Sequence, residues 1–271
     1  MLRFTPDTIR IVFFDLEYYT PPEDRDRETP GAMKFCPVLP GHKIIGGVFQ
    51  VYYPMLDKLG EPVKIWEWEL GSEEAVLKRI FDFLKKQWRC FEKDPTRGSL
   101  MLGGIGISRS DVPALFTRMT ALSIGTPEQI FHLLYGCQQI DLSTATFCQF
   151  AFNHAYFAYP KPKSSLYQKY LNGKLVISGL EVLNHYDQSA FTEIESRTLD
   201  EIKDMVSIYK AMFDLKHKTD ESLRRLKTIE KEMAFGASYL IDELDANNPV
   251  PSNSVELAPI NDYFDSIGKT T

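Results

Sequence analysis

The first strong pattern in the chain is a nearly continuous apolar run, Ile9–Phe14, with Ile9, Ile11, Val12, Phe13 and Phe14. Such a run suits a central strand covered on both faces. Ile44–Tyr53 ("IIGGVFQVYY") predicts a second strand, in which Gly46–Gly47 marks a bulge or a close approach. After the turn signal "LGEP" at 59–62, Val63–Leu70 alternates as a third strand. The connections suit an antiparallel meander. Between the first two strands, Thr20–His42 is rich in Pro, Gly and charge and reads as a long loop.

The period then changes. Ser72 is placed as an N-cap, with Glu73 and Glu74 in the first turn, and Val76, Leu77, Ile80, Phe81 and Leu84 form a helical apolar stripe. Residues 99–108 ("SLMLGGIGIS") predict a fourth strand ending in glycines. Residues 111–122 predict a helix that tolerates Pro113 in its first turn, and Gln138–Leu142 a fifth strand. An aromatic-rich helical stretch at 143–158, a loop at 159–165 and one or two long helices from Thr198 to Ala234 follow. The expected fold class is α/β: three antiparallel strands, then β-α-β-α, in a mixed sheet flanked by helices over residues 1–245. Residues 246–271, rich in Pro, Asn and Ser, read as a tail with Tyr263 and Phe264 as anchors.

Composition narrows the function. At 44% hydrophobic and 25% charged residues, the 271-residue chain is ordinary for a soluble globular protein with a sizeable core. A net charge of −6 argues against a general nucleic-acid coating protein, but not against an enzyme that acts on nucleic acid. Cys36, Cys90, Cys137 and Cys148 form no CxxC pair, and His42, His132, His154, His185 and His217 have no ligand spacing, so no zinc site is expected. "GGIG" at 103–106 lacks the spacing of a phosphate loop, and no Gly-x-Ser-x-Gly is present. There is no apolar run of about 18 residues and no signal-peptide plan in "MLRFTPDTIR". The expected location is cytoplasmic, nucleoid or nuclear, with no membrane association.

Candidate chemistry begins where the first strand ends. Asp15 and Glu17 stand two residues apart, so on a strand they point to one face. Buried carboxylates are costly unless paired or metal-bound, and two together can hold a hard divalent cation through oxygen. The competing account is that the strand has ended and both acids are solvated. Asp111 follows the fourth strand at the start of a helix, where it suits a ligand or, equally, an N-cap.

Taken together, "FFDLE", the intervening strands and helix, and "GGIGISRSDVPALFTR" resemble the DEDD superfamily of 3′–5′ exonucleases, of ribonuclease H-like fold. The branch it resembles most includes the proofreading domains of family B polymerases. Asp15 and Glu17 match the Asp-x-Glu motif, and Asp111, Pro113, Leu115 and Arg118 match the second motif, with Gly where the family often has Asn. The resemblance implies metal-dependent 3′–5′ hydrolysis of a single-stranded or frayed end of DNA or RNA, using two Mg²⁺ or Mn²⁺ ions. Asp15 would bridge both ions, with Glu17 on the ion that carries the nucleophile and Asp111 on the other. The "IDL" at 140–142 matches the family's fifth strand, where the Asp is usually no ligand.

The third motif is an Asp on a late helix, preceded by Tyr at four residues or His at five. Three registers stay open in "LDEIKDMVSIYKAMFDL". One supplies Asp204, with Asp200 in the Tyr place and Leu199 in the His place. Another supplies Asp214 with Tyr209 in the His place. The third puts Tyr209 on the acid position and leaves the site incomplete. Tyr18, Tyr19 and Phe152 would stack on bases, or pack the core. Lys161, Lys163 and Lys169 would line a strand path, or remain solvated. An alternative function is a degenerate nuclease fold, inactive or weakly active, kept as a nucleic-acid-binding or protein scaffold module. In either case a protein partner or subunit role is open.

Overall fold

The structure, a computed structural model, describes residues 9–26, 34–92, 99–146, 162–175 and 178–213, with Thr228 and Lys231. The chain divides into two units, 1–218 and 219–271, and the fold below belongs to the first. The stretch 147–158, Phe152, Lys161, Asp214, the tail from 246 and most of the expected helix beyond Phe213 lie outside the described residues.

Strand β1 (Ile9–Tyr19) is the centre of the sheet. Its β-branched and aromatic residues alternate between two cores: Ile11 and Phe13 face one side, Val12, Phe14 and Leu16 the other. This double burial is why the run reads as continuously apolar. β1 pairs antiparallel with β2 (Lys43–Tyr53) and parallel with β5 (Ser99–Gly104), which pairs parallel with β6 (Gln138–Asp141). The far edge of β2 is shared by β3 (Lys58–Leu59), opposite Tyr52 and Tyr53, and β4 (Val63–Trp66), opposite Gly46–Phe49. The result is a six-stranded mixed sheet in the order β3-β2-β1-β5-β6 with β4 beside β3 on β2. This is the α/β arrangement expected of a ribonuclease H-like fold.

One face is covered by α2 (Glu73–Glu92), α3 (Asp111–Ala121) and α4 (Pro127–Tyr135). The other is covered by α5 (Leu142–Ala145), α6 (Lys163–Tyr170), α7 (Gly179–Asp187) and α8 (Phe191–Phe213). The expected third strand, Val63–Leu70, is shorter than the alternation suggests. After Trp66 the chain turns into helix α1 (Glu67–Leu70), closed by Gly71 in the left-handed region (φ 84°). Helix α4 is absent from the sequence-derived order. Its start is a capping box between Thr126 and Gln129, with Pro127 in the first turn.

The paired glycines behave as expected. Register slips between Glu17 (opposite Gly46) and Tyr18 (opposite Ile44), leaving Ile45 as the extra residue of a bulge. Gly46 has φ 143°, and a Cβ there would collide with the Ile65 carbonyl and the Trp66 ring. Trp66 stacks on Trp68 (4.7 Å between centroids, 12°), and Trp68 on Phe191 at the start of α8 (4.4 Å, 7°). Trp68 Nε1 also donates to Glu195 Oε1 (3.2 Å), so α8 is docked against the end of the meander.

Candidate metal centre

Asp15 and Glu17 lie on the β1 face that also presents Ile11 and Phe13, the face covered by α8. On α8, Ile194, Thr198, Glu201, Met205, Ile208 and Met212 recur in steps of four and three, and all six are buried. That spacing lines one side of a helix. Glu201 therefore occupies the middle of the core-facing stripe. It meets β1 there: ligand oxygens of Asp15, Glu17 and Glu201 all lie within 4.8 Å of one another. Asp15 is half-buried; Glu17 and Glu201 are buried.

Three carboxylates this close repel one another, and the surroundings compensate. Arg197 Nη1 donates to Glu17 Oε1 (2.5 Å), and its Nη2 stands 3.0 Å from Glu201 Oε1, so one guanidinium bridges the two buried acids. Thr198 Oγ1 donates to Glu17 Oε1 (2.8 Å). Lys163 Nζ, at the start of α6, is 2.5 Å from Glu201 Oε2. Burial pushes the Glu17 carboxyl above its ordinary pKa, against Arg197, and Asp15 adds to the rise. Burial and Asp15 push Glu201 up in the same way, against Lys163 and Arg197. For Arg197 and Lys163 burial works downward, but the carboxylates outweigh it and hold both cations charged.

Asp111 opens α3 with Ser110 in the cap position, so it is the first helical residue and not the N-cap. It reaches β1 through the backbone: Oδ1 accepts from the Leu16 N–H (3.2 Å), between Asp15 and Glu17, while Oδ2 accepts from the Ser110 hydroxyl. Burial and Asp15 together push its pKa up to about 7, against the hydrogen bonds it receives. The Tyr18 hydroxyl sits beside it and is pushed well above its ordinary value by burial and by Asp111.

The remaining sequence candidates fall elsewhere. Asp204 is buried but is held by Lys174 Nζ (2.9 and 2.7 Å) and is not part of the 4.8 Å cluster. Asp200 is on the exposed side, paired with Lys203 (2.8 Å). Tyr209 packs edge-on against Phe13 (5.5 Å) and Tyr52 (5.8 Å) in the core. The tyrosine beside the acids is Tyr167 of α6, raised by burial and then by Glu201, Asp204 and Asp15. Tyr18 stacks on Phe35 (4.3 Å), and Tyr19 packs on Tyr186 (5.0 Å) with Lys43 over its ring. Lys163 belongs to the acid cluster, whereas Lys169 lies over the Tyr170 ring. Arg118 serves the frame of the fold, binding Glu73, whose carboxylate also accepts the Ile44 N–H (2.8 Å). Asp141 ties down the β5–α3 loop through Gly106 N (2.8 Å) and Ser108.

The late-helix residues that join the cluster are thus Arg197 and Glu201, four apart. The available signal was a carboxylate inside an apolar stripe.

The donor set suits a hard divalent cation, since all three groups offer oxygen.

No family model matches the sequence, and no curated protein matches it. Among solved structures, it is similar to the family B DNA polymerase from the hyperthermophilic archaeon Pyrobaculum calidifontis, with a TM-score of 0.47 and 15% sequence identity. The match covers 75% of this chain and 24% of the polymerase, so the chain spans about a quarter of that protein's length. Similarity at this level assigns no chemistry here.

Proposed function

We propose that this chain is a divalent-cation-dependent nuclease that hydrolyses phosphodiester bonds at a 3′ end of DNA or RNA. The carrying observation is the meeting of Asp15, Glu17 and Glu201 at the joint of β1 and α8. It agrees with the motif resemblance around Asp15, Glu17 and Asp111. Asp15, Glu17 and Glu201 would hold the cation. A cation bound there would lower the pKa of a water molecule and neutralise charge at the phosphate.

The chain's own residues supply the frame. Half-buried Asp15 is the carboxylate that a nucleic-acid end can approach. Glu17 and Glu201 are fixed from behind by Arg197, which stays protonated and cannot act as a base. Asp111 holds the backbone of Leu16 and so fixes the angle between Asp15 and Glu17.

Asp15→Asn keeps the shape and removes a charge. It is expected to abolish Mg²⁺- or Mn²⁺-dependent cleavage of an end-labelled single-stranded oligonucleotide, with far-UV circular dichroism unchanged. Cleavage by the variant at the wild-type rate would overturn the assignment. A circular substrate separates exonuclease from endonuclease action.

A second reading, a nucleic-acid-binding module without hydrolysis, is favoured by the two cations lodged among the carboxylates. It predicts that the unaltered protein retards single-stranded oligonucleotides in a gel but leaves them intact in Mn²⁺.

A further inference from the structure

We infer that the centre takes a single divalent cation, with Arg197 and Lys163 standing in charge terms where a second would be. The inference rests on the metal-dependent reading above and departs from the two-ion arrangement that the resemblance implies.

Three observations carry it. First, the two buried carboxylates are each already joined to a fixed cation. Arg197 bridges Glu17 Oε1 (2.5 Å) and Glu201 Oε1 (3.0 Å), and Lys163 stands 2.5 Å from Glu201 Oε2. Arg197 is 10% exposed at its side chain and is anchored four residues before Glu201 on the same helix, so it is built in. A guanidinium also cannot be neutralised by losing a proton.

Second, Asp111 has both oxygens engaged, Oδ1 by the Leu16 N–H and Oδ2 by the Ser110 hydroxyl. Its carboxyl holds the backbone of β1 in place. It lies outside the 4.8 Å cluster.

Third, Arg197 and Lys163 already offset charge among Asp15, Glu17 and Glu201 in a largely buried space. A second divalent ion would press against these fixed cations where screening is weak.

The test counts ions. Full-length protein stripped with EDTA would be titrated with Mn²⁺ at pH 8, with free Mn²⁺ read by electron paramagnetic resonance and melting temperature followed in parallel. The expected result is one tight Mn²⁺ per chain and an increase in melting temperature. Arg197→Gln is expected to raise the count to two. If that variant does not fold, Lys163→Gln, at the more exposed of the two cations (22%), carries the same expectation. Two ions in the unaltered protein would overturn the inference while leaving the metal-dependent function standing. No bound ion would overturn both. One ion in the unaltered protein and still one in folded variants would overturn the role given to the cations.

Discussion

Asp111 holds three demands in one side chain. It must be buried, sit near Asp15 and keep its bonds to Leu16 and Ser110. Its pKa rises to about 7, from an ordinary carboxylate value near 3.8. The sign follows from linkage: a raised folded-state pKa means that the folded protein binds the extra proton, so stability present at low pH is lost as pH climbs from about 4 to about 7. Asparagine can accept from the Leu16 N–H with its oxygen and bond Ser110 with its amide, without the charge. In EDTA, Asp111→Asn is expected to gain stability over the unaltered protein as pH rises, by on the order of 2–4 kcal/mol by pH 8. Melting curves from pH 4 to 8 check this; a pH-independent difference between the two proteins would sink it. Asp15 and Glu17 were legible in the sequence as acids two apart on a clear strand, and Asp111 as the acid that opens a helix. Glu201 was not, because its role depends on a partner strand far away along the chain and on which helical face turns inward.

The elements with strict alternation or strict helical period were readable, and those set by a backbone reversal were not. β1, β2 and α2 follow from their own residues. Val63–Leu70 alternates throughout yet changes to a helical turn at Glu67, where Gly71 closes it. The bulge beside Glu17 was signalled by its glycines, and it has a cost that can be measured. Gly46→Ala places a methyl group against the Ile65 carbonyl and the Trp66 ring, at φ 143°. Gly71→Ala also meets a positive φ, 84°, but nothing lies within 4 Å of the added carbon. The second change is expected to cost about 1 kcal/mol, and the first several times that, because the β2–β4 ladder must shift. Urea denaturation midpoints compare them, and equal losses would refute the steric account.

For the whole molecule, the mixed sheet, a meander followed by strands alternating with helices, was legible in the order of the predicted elements. The late helices carried less local information: α8 is tied to the sheet by contacts such as Lys64–Glu195 (3.0 Å) and Arg197–Glu17 (2.5 Å), which no nearby residues announce. Among the described residues, no helix is long and apolar enough to cross a membrane.

The stack of Trp66, Trp68 and Phe191 makes α8 observable without a label. Two indoles held nearly parallel at 4.7 Å couple their electronic transitions and should give a strong near-ultraviolet chiroptical band. Phe191 clamps the outer ring at 4.4 Å, so undocking of α8 frees Trp68 to rotate and extinguishes the band. Because α8 also carries Glu201, the amplitude of that band should report the fraction of molecules whose metal centre is assembled. In a denaturant titration it is expected to fall together with Mn²⁺ affinity, and a band that outlasts Mn²⁺ binding would show that the two ends of α8 leave the sheet separately.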